Sequence, residues 1–140
     1  MVGYLRVPLI TVLLLAGAPV NGAGKIEPFR VIRVIDGDTI LGTSRLWPRP
    51  VKLRIGGMHT PELHTPQCPQ EKASAQKAAR RLAQLVKQAG HLVMMLNVRG
   101  PDRWRRPVAE VEIDGRRVDH ILIGEGLARP YVGGKRGSWC

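Results

Sequence analysis

Between Asp36 and Glu62 a strongly basic chain gathers three of its few carboxylates. The stretch reads DGDT from Asp36 to Thr39, then a basic alternating run that ends in Arg54, then HTPE from His59 to Glu62. Crowded carboxylates repel, so a compact cluster needs an opposing charge. A hard divalent cation or an arginine supplies it. Hydrolysis of a phosphodiester asks for such a set: an activated water, neutralisation of the phosphoryl oxygens and in-line geometry. Glu62 is of the right type to orient or deprotonate the water. A hairpin turn alone explains one Asp at positions 36 and 38 easily, and two less well.

The elements that must position these groups are legible from periodicity. Phe29 to Ile35 is a β-branched run fit for a buried strand, and Thr39 to Leu41 restarts a strand after the Asp-Gly-Asp turn. Gly42 to Pro50 reads as an irregular surface loop that carries Trp47. In Val51 to Ile55 apolar residues alternate with Lys52 and Arg54, which predicts a half-buried strand with a basic outer face. Gln70 to Ala89 is the clearest helix, with Ala75, Ala78, Leu82, Leu85 and Val86 on one face and Gly90 as terminator. Leu92 to Val98 and Val108 to Ile113 predict two more strands, and Val118 to Leu127 a second helix with Asp119 near its positive end. Arg129 to Cys140 reads as a Gly-rich tail. The expected fold is therefore an all-β barrel with helices (α+β): a five-stranded oligonucleotide-binding barrel, a long helix after strand three, and a second helix near the C-terminus.

Length and charge agree with one basic domain. The chain has 140 residues and a formal net charge of +11, and most of its 22 basic residues are arginine. That balance favours anionic partners, chiefly nucleic acid or an anionic surface. At the N-terminus, Arg6, an apolar run from Val7 to Val20 and a small-residue exit at 21–24 match a secretory signal peptide. Residues 1–23 are assigned to it, with cleavage after Gly22 or Ala23, and 24–140 to the domain. The run is short for a bilayer span, so no membrane anchor is expected after cleavage. The mature product is expected to be exported, periplasmic or secreted, and monomeric. In an oxidising compartment Cys68 and Cys140 are expected to pair, the alternative being two free thiols. Such a cross-link restricts the unfolded chain by roughly 4 kcal/mol.

The motifs VIDGDTI at 34–40, Arg54 before HTPE at 59–62, an Ala-rich helix from near Glu71, DRWRRPVA at 102–109 and GEGLA at 124–128 occur in one order. In that order and spacing the chain resembles the staphylococcal thermonuclease family over roughly Phe29 to Arg129. The resemblance implies the same five-stranded barrel and calcium-dependent cleavage of DNA and RNA that leaves 3′-phosphate ends. It implies that Arg54 and Arg106 grip the phosphate, a task that suits planar guanidinium forks. Glu62 serves the water, Asp38 ligates the metal directly, Asp36 acts from mostly behind it, and the Thr60 carbonyl is a further metal contact. Arg103 and Trp104 match positions near the nucleotide, and Tyr131 lies one residue out of register with a nucleotide-contacting Tyr.

Three positions depart from that pattern. His59 stands where the family has a second metal-ligating Asp. Calcium prefers oxygen, whereas imidazole suits zinc, nickel or manganese-like ions, so the expected divalent ion is calcium with others open. Arg105 replaces a Gly and, if the turn needs positive φ, costs about 1 kcal/mol or distorts Arg106. Pro107 then biases Arg106 toward extended angles. The leading expectation is an exported metal-dependent nuclease. The alternatives are a catalytically weakened or inactive barrel that binds single-stranded nucleic acid, and an envelope protein that uses the scaffold for protein or anionic-surface contact.

Overall fold

A computed structural model describes residues 24–140, so the expected signal peptide lies outside the described residues. Strand β1 (Glu27–Asp36) turns at Gly37-Asp38 into β2 (Thr39–Thr43), which pairs in turn with β3 (Val51–Ile55). Two further strands, β5 (Leu92–Arg99) and β6 (Val108–Ile113), pair with each other, and β5 returns to the other edge of β1. The sheet closes where β3 meets β6 in parallel register, Arg54 against Val108 and Ile55 against Ala109. This is the expected five-stranded closed barrel with two helices. Closure leaves the barrel interior to Phe29, Ile40, Leu53, Ile55, Met95 and Val111, all fully buried.

Helix α1 (Pro69–Gln88) begins where Cys68 caps it, the sulfur accepting from the Glu71 backbone N–H at 3.4 Å. Its buried face is Ala75, Ala78, Leu82, Leu85 and Val86, as the spacing predicts. The small residue at Ala78 lets the helix press on the β1–β2 turn. A Cβ on Gly37 would sit 2.8 Å from Ala78 Cβ and 2.9 Å from Thr60 Oγ1. Gly37 therefore admits both the helix and the 59–62 segment against the turn that carries Asp36 and Asp38.

Four readings are corrected. Gly42 and Thr43 belong to β2 rather than to a loop, because a Cβ at Gly42 would come within 2.5 Å of the Phe29 ring. Trp47 sits in the loop as expected but is half-buried rather than on the surface, edge-on to Phe29 with centroids 6.5 Å apart. Helix α2 (Val118–Gly124) stops three residues before Leu127. The segment after it is not simply a tail. Short strand β8 (Arg129–Tyr131) pairs with β4 (Gly57–His59), a two-stranded sheet too short to show period-two alternation. The remaining strand, β7 (Arg116–Arg117), is a two-residue extension of β6.

Candidate active site

Asp36 and Asp38 flank the β1–β2 turn, and the turn fixes them locally. Asp36 Oδ1 accepts from the Asp38 backbone N–H at 3.1 Å, and Asp38 Oδ1 accepts from the Thr39 hydroxyl at 2.9 Å. The Asp38 carbonyl accepts from Ile55 N–H at 2.8 Å, which ties the turn to β3. Burial first, and then the neighbouring Asp38 charge, raise the Asp36 carboxyl to about 6. A carboxylate pair this awkward is one that an added positive charge would relieve.

Arg54 is not on a solvated outer face as alternation predicts. It is 4 % exposed, and its Nη2 lies 3.2 Å from Asp38 Oδ2. Its guanidinium also donates to the carbonyls of Ile55 and Met58, the latter at 2.8 Å. Three protein contacts make Arg54 a structural pillar as well as a charge. Its backbone N–H donates to the Pro107 carbonyl at 2.9 Å, which brings the end of the 102–107 turn alongside.

That turn does need positive φ: Arg105 has φ of 60°. It does not distort Arg106, because Asp102 binds the whole turn. Asp102 Oδ1 accepts from the backbone N–H groups of Trp104 and Arg106, both at 2.9 Å. Asp102 Oδ2 takes Arg106 Nε at 2.9 Å and Nη2 at 2.8 Å. Arg106 Nη1 reaches across the barrel mouth to the Thr39 hydroxyl at 3.1 Å. Thr39 thus links Arg106 to Asp38 through one oxygen.

Glu62 is exposed and follows the buried Thr60. Its loop is held from below by Glu71, itself 4 % exposed, whose two oxygens accept from the Glu62 N–H at 3.1 Å and the Gln67 N–H at 2.7 Å. A cleft of about 410 Å³ is lined by Asp36, Asp38, Arg54, Glu62, Arg106 and Arg136, with Arg103 and Trp104 at its edge. Arg103 lies over the Trp104 ring at 4.7 Å, and the ring is 61 % exposed. Tyr131 instead lines an adjoining cavity of about 770 Å³ that shares Arg54, Arg103 and Trp104.

His59 is not brought to Asp36 or Asp38. It is buried, edge-on to Tyr131 at 5.6 Å and to Trp139 at 5.4 Å, and its Nδ1 accepts from the Trp139 indole N–H at 3.4 Å. Burial first, then Arg136, Arg129 and Arg54, lower its pKa and keep it neutral. It is absent from the cleft of Asp36 and Asp38 and instead lines a third cavity with Thr60, Glu62 and Trp139. Its Nδ1 is engaged by the Trp139 indole. Among the described residues no group of three or more His, Cys, Asp or Glu side chains is arranged to hold a metal. The cleft's own donors are carboxylate oxygens, which fit a hard cation held weakly rather than zinc.

The staphylococcal nuclease homologue family matches residues 52–137, more than half of the chain. The chain belongs to that family. Comparison with curated proteins gave no match. The matched stretch contains Arg54, Glu62 and Arg106, whereas Asp36 and Asp38 precede it and stand on geometry alone. Sequence reasoning assigns no role to Thr39, Glu71 or Asp102, although they fall in or at the edge of the motifs, and Arg136 lies outside them. For Asp102, an Asp opening a charged turn four residues before Arg106 is a usable signal. Glu71 reads in sequence as an ordinary first-turn helix acid.

Proposed function

We propose that this nuclease homologue hydrolyses phosphodiester linkages of single-stranded DNA or RNA with the help of a divalent cation. One observation carries the reading: the Arg54 and Arg106 guanidinium groups, the crowded Asp36 and Asp38 carboxylates and the exposed Glu62 share one cleft beside an exposed Trp. Asp36 and Asp38, with the Thr60 carbonyl, would hold the ion, which the family resemblance gives as calcium. Bound there, the ion would offset negative charge on the phosphoryl group.

The chain's own groups do the rest. Arg106, aimed by Asp102 and Thr39, offers its guanidinium to the phosphoryl oxygens, where charge grows in the transition state. Arg54 supplies a second positive charge from beneath. Glu62 accepts a proton from the attacking water, whose oxygen bonds to phosphorus as the opposite P–O bond breaks. The departing oxygen takes a proton from solvent water, Glu62 later returns its own proton to solvent, and no redox step is involved. Trp104 and Arg103 form a platform on which a base can stack. Pairing of Cys68 with Cys140, sulfurs 2.05 Å apart, supports the further proposal that the protein works in an oxidising compartment after export.

The test is cleavage of a single-stranded oligodeoxynucleotide with calcium, manganese, zinc or chelator in parallel, by wild type, Glu62→Gln and Arg106→Ala. Calcium-stimulated cleavage by wild type is expected, lost by at least about 100-fold in both variants, whose melting temperatures stay close to wild type. Equal rates in all three proteins would reject the assignment. Binding without cleavage in every metal would point to the non-catalytic alternative.

A further inference from the structure

Residues 132–140 form no helix or strand, yet they are fastened along their length. At one end β8 pairs with β4, and at the other Cys140 meets Cys68 at the start of α1. In between, Arg129 stacks over Trp139 at 3.8 Å and donates to the Ser138 carbonyl at 2.9 Å, while Trp139 docks on His59. The segment therefore crosses the mouth of the cleft as a fixed strap. Its one side chain common to the cleft and to both neighbouring cavities, apart from residues of the barrel and its loops, is Arg136.

Arg136 is weakly satisfied. Its Nη1 lies 3.4 Å from Glu62 Oε1, and its guanidinium sits 5.0 Å from the centre of the Tyr131 ring. Of the other cleft arginines, Arg54 has Asp38 and Arg106 has Asp102 as a close partner, while Arg103 lies over Trp104. Arg54, Arg106 and Arg136 all line the one cleft. Positive charges crowd here, and a polyanion would relieve them.

We propose that Arg136 is a third substrate-binding guanidinium, gripping a backbone phosphate of the nucleic acid beside the reacting linkage, and that the Cys68–Cys140 tether holds it in place. The inference rests on reading the cleft as a nucleic-acid site. On binding, Arg136 exchanges Glu62 for a phosphate oxygen, which it can hold bidentately. Glu62 is then free to face water. The barrel and its loops supply the other cationic contacts and the strap supplies Arg136, so substrate grip depends on the covalent bond that anchors the strap's end.

The test measures binding of a fluorescent single-stranded oligodeoxynucleotide in chelator, and calcium-supported cleavage, for Arg136→Ala, Arg136→Lys, Cys140→Ser and the Arg136→Ala/Cys140→Ser pair. Arg136→Ala is expected to weaken binding about tenfold and to lower the slope of log K against log salt by about 0.7. KM rises more than kcat falls, and Arg136→Lys recovers part of the loss. Cys140→Ser shows the same loss and adds nothing in the pair, because the untethered strap has already withdrawn the guanidinium. If Cys140→Ser fails to fold, Arg136→Ala, which keeps the tether, decides alone. A wild type that binds and cleaves while Arg136→Ala matches it in affinity and salt slope overturns this inference only. Full additivity in the pair overturns the tether's part in it. A wild type with no oligonucleotide affinity at low salt overturns both this inference and the function proposed above.

Discussion

Replacing Asp36 by Asn tests the crowded carboxylate pair directly. The Asp36 carboxyl is raised from 3.8 to about 6, by burial first and by Asp38 second. A folded-state pKa above the unfolded one means that the folded protein binds the proton more tightly. The associated stability is complete below about pH 4 and is lost as pH rises through about 6. At full weight a shift of this size is worth about 3 kcal/mol, and the partial exposure of the site brings it to about 1–2 kcal/mol. Asn cannot ionise, and its Oδ1 can still accept from the Asp38 N–H. In chelator, urea unfolding of the two proteins should therefore give similar stabilities near pH 4. The variant should become more stable than wild type by about 1–2 kcal/mol at pH 7. Calcium at pH 7 should then raise the wild type more than the variant, which keeps Asp38 but lacks one of the two charges that attract the ion. Other groups titrate alike in both proteins and cancel in the difference. A stability difference independent of pH between 4 and 7 would refute the reasoning, whatever the variant's activity.

Arg54→Ala should cost about 3–5 kcal/mol by thermal or urea unfolding, because it leaves the buried Asp38 unpaired and two carbonyls without donors. A loss of activity in that variant without a loss of stability would contradict the pillar role. Asp102→Ala should lower stability by about 1–2 kcal/mol and kcat/KM by about tenfold or more, because it frees Arg106 while Arg105 stays at positive φ. Burial pushes the Asp102 carboxyl up, but the Arg106 backbone and side-chain N–H groups, then its charge and the Trp104 N–H, override this and hold it low. The turn's contribution is thus present above about pH 4 and is lost only as pH falls further. An Asp102→Ala protein with unchanged kcat/KM would show that Arg106 needs no such aim.

The barrel was legible because its signals are local. Five short strands and one amphipathic helix each announce themselves within a few residues, and the DGD turn needs no distant partner to be recognised. What escaped detection is long-range by nature. The burial of Arg54 is set by Asp38 from the β1–β2 turn and by closure onto β6, neither of which alters the alternation of 51–55. His59 reads as a metal-site residue only through the family resemblance. Its fate is decided by Tyr131 and Trp139, more than seventy residues away, which are brought to it by the β4–β8 pairing and the Cys140 tether.

The same long-range contacts bear on the chemistry. His59 adds no negative charge beside Asp36 and Asp38, and its imidazole is the seat on which Trp139 of the strap docks. The strap in turn carries Arg136 to Glu62 and adds positive charge at the cleft. The balance of the site thus moves from the cation toward guanidinium groups. A phosphate held by three arginines needs less help from a metal than one held by two, so activity should depend on calcium concentration more steeply in Arg136→Ala than in wild type. A calcium dependence identical in the two proteins would mean that the strap and the cation site do not share the substrate's charge.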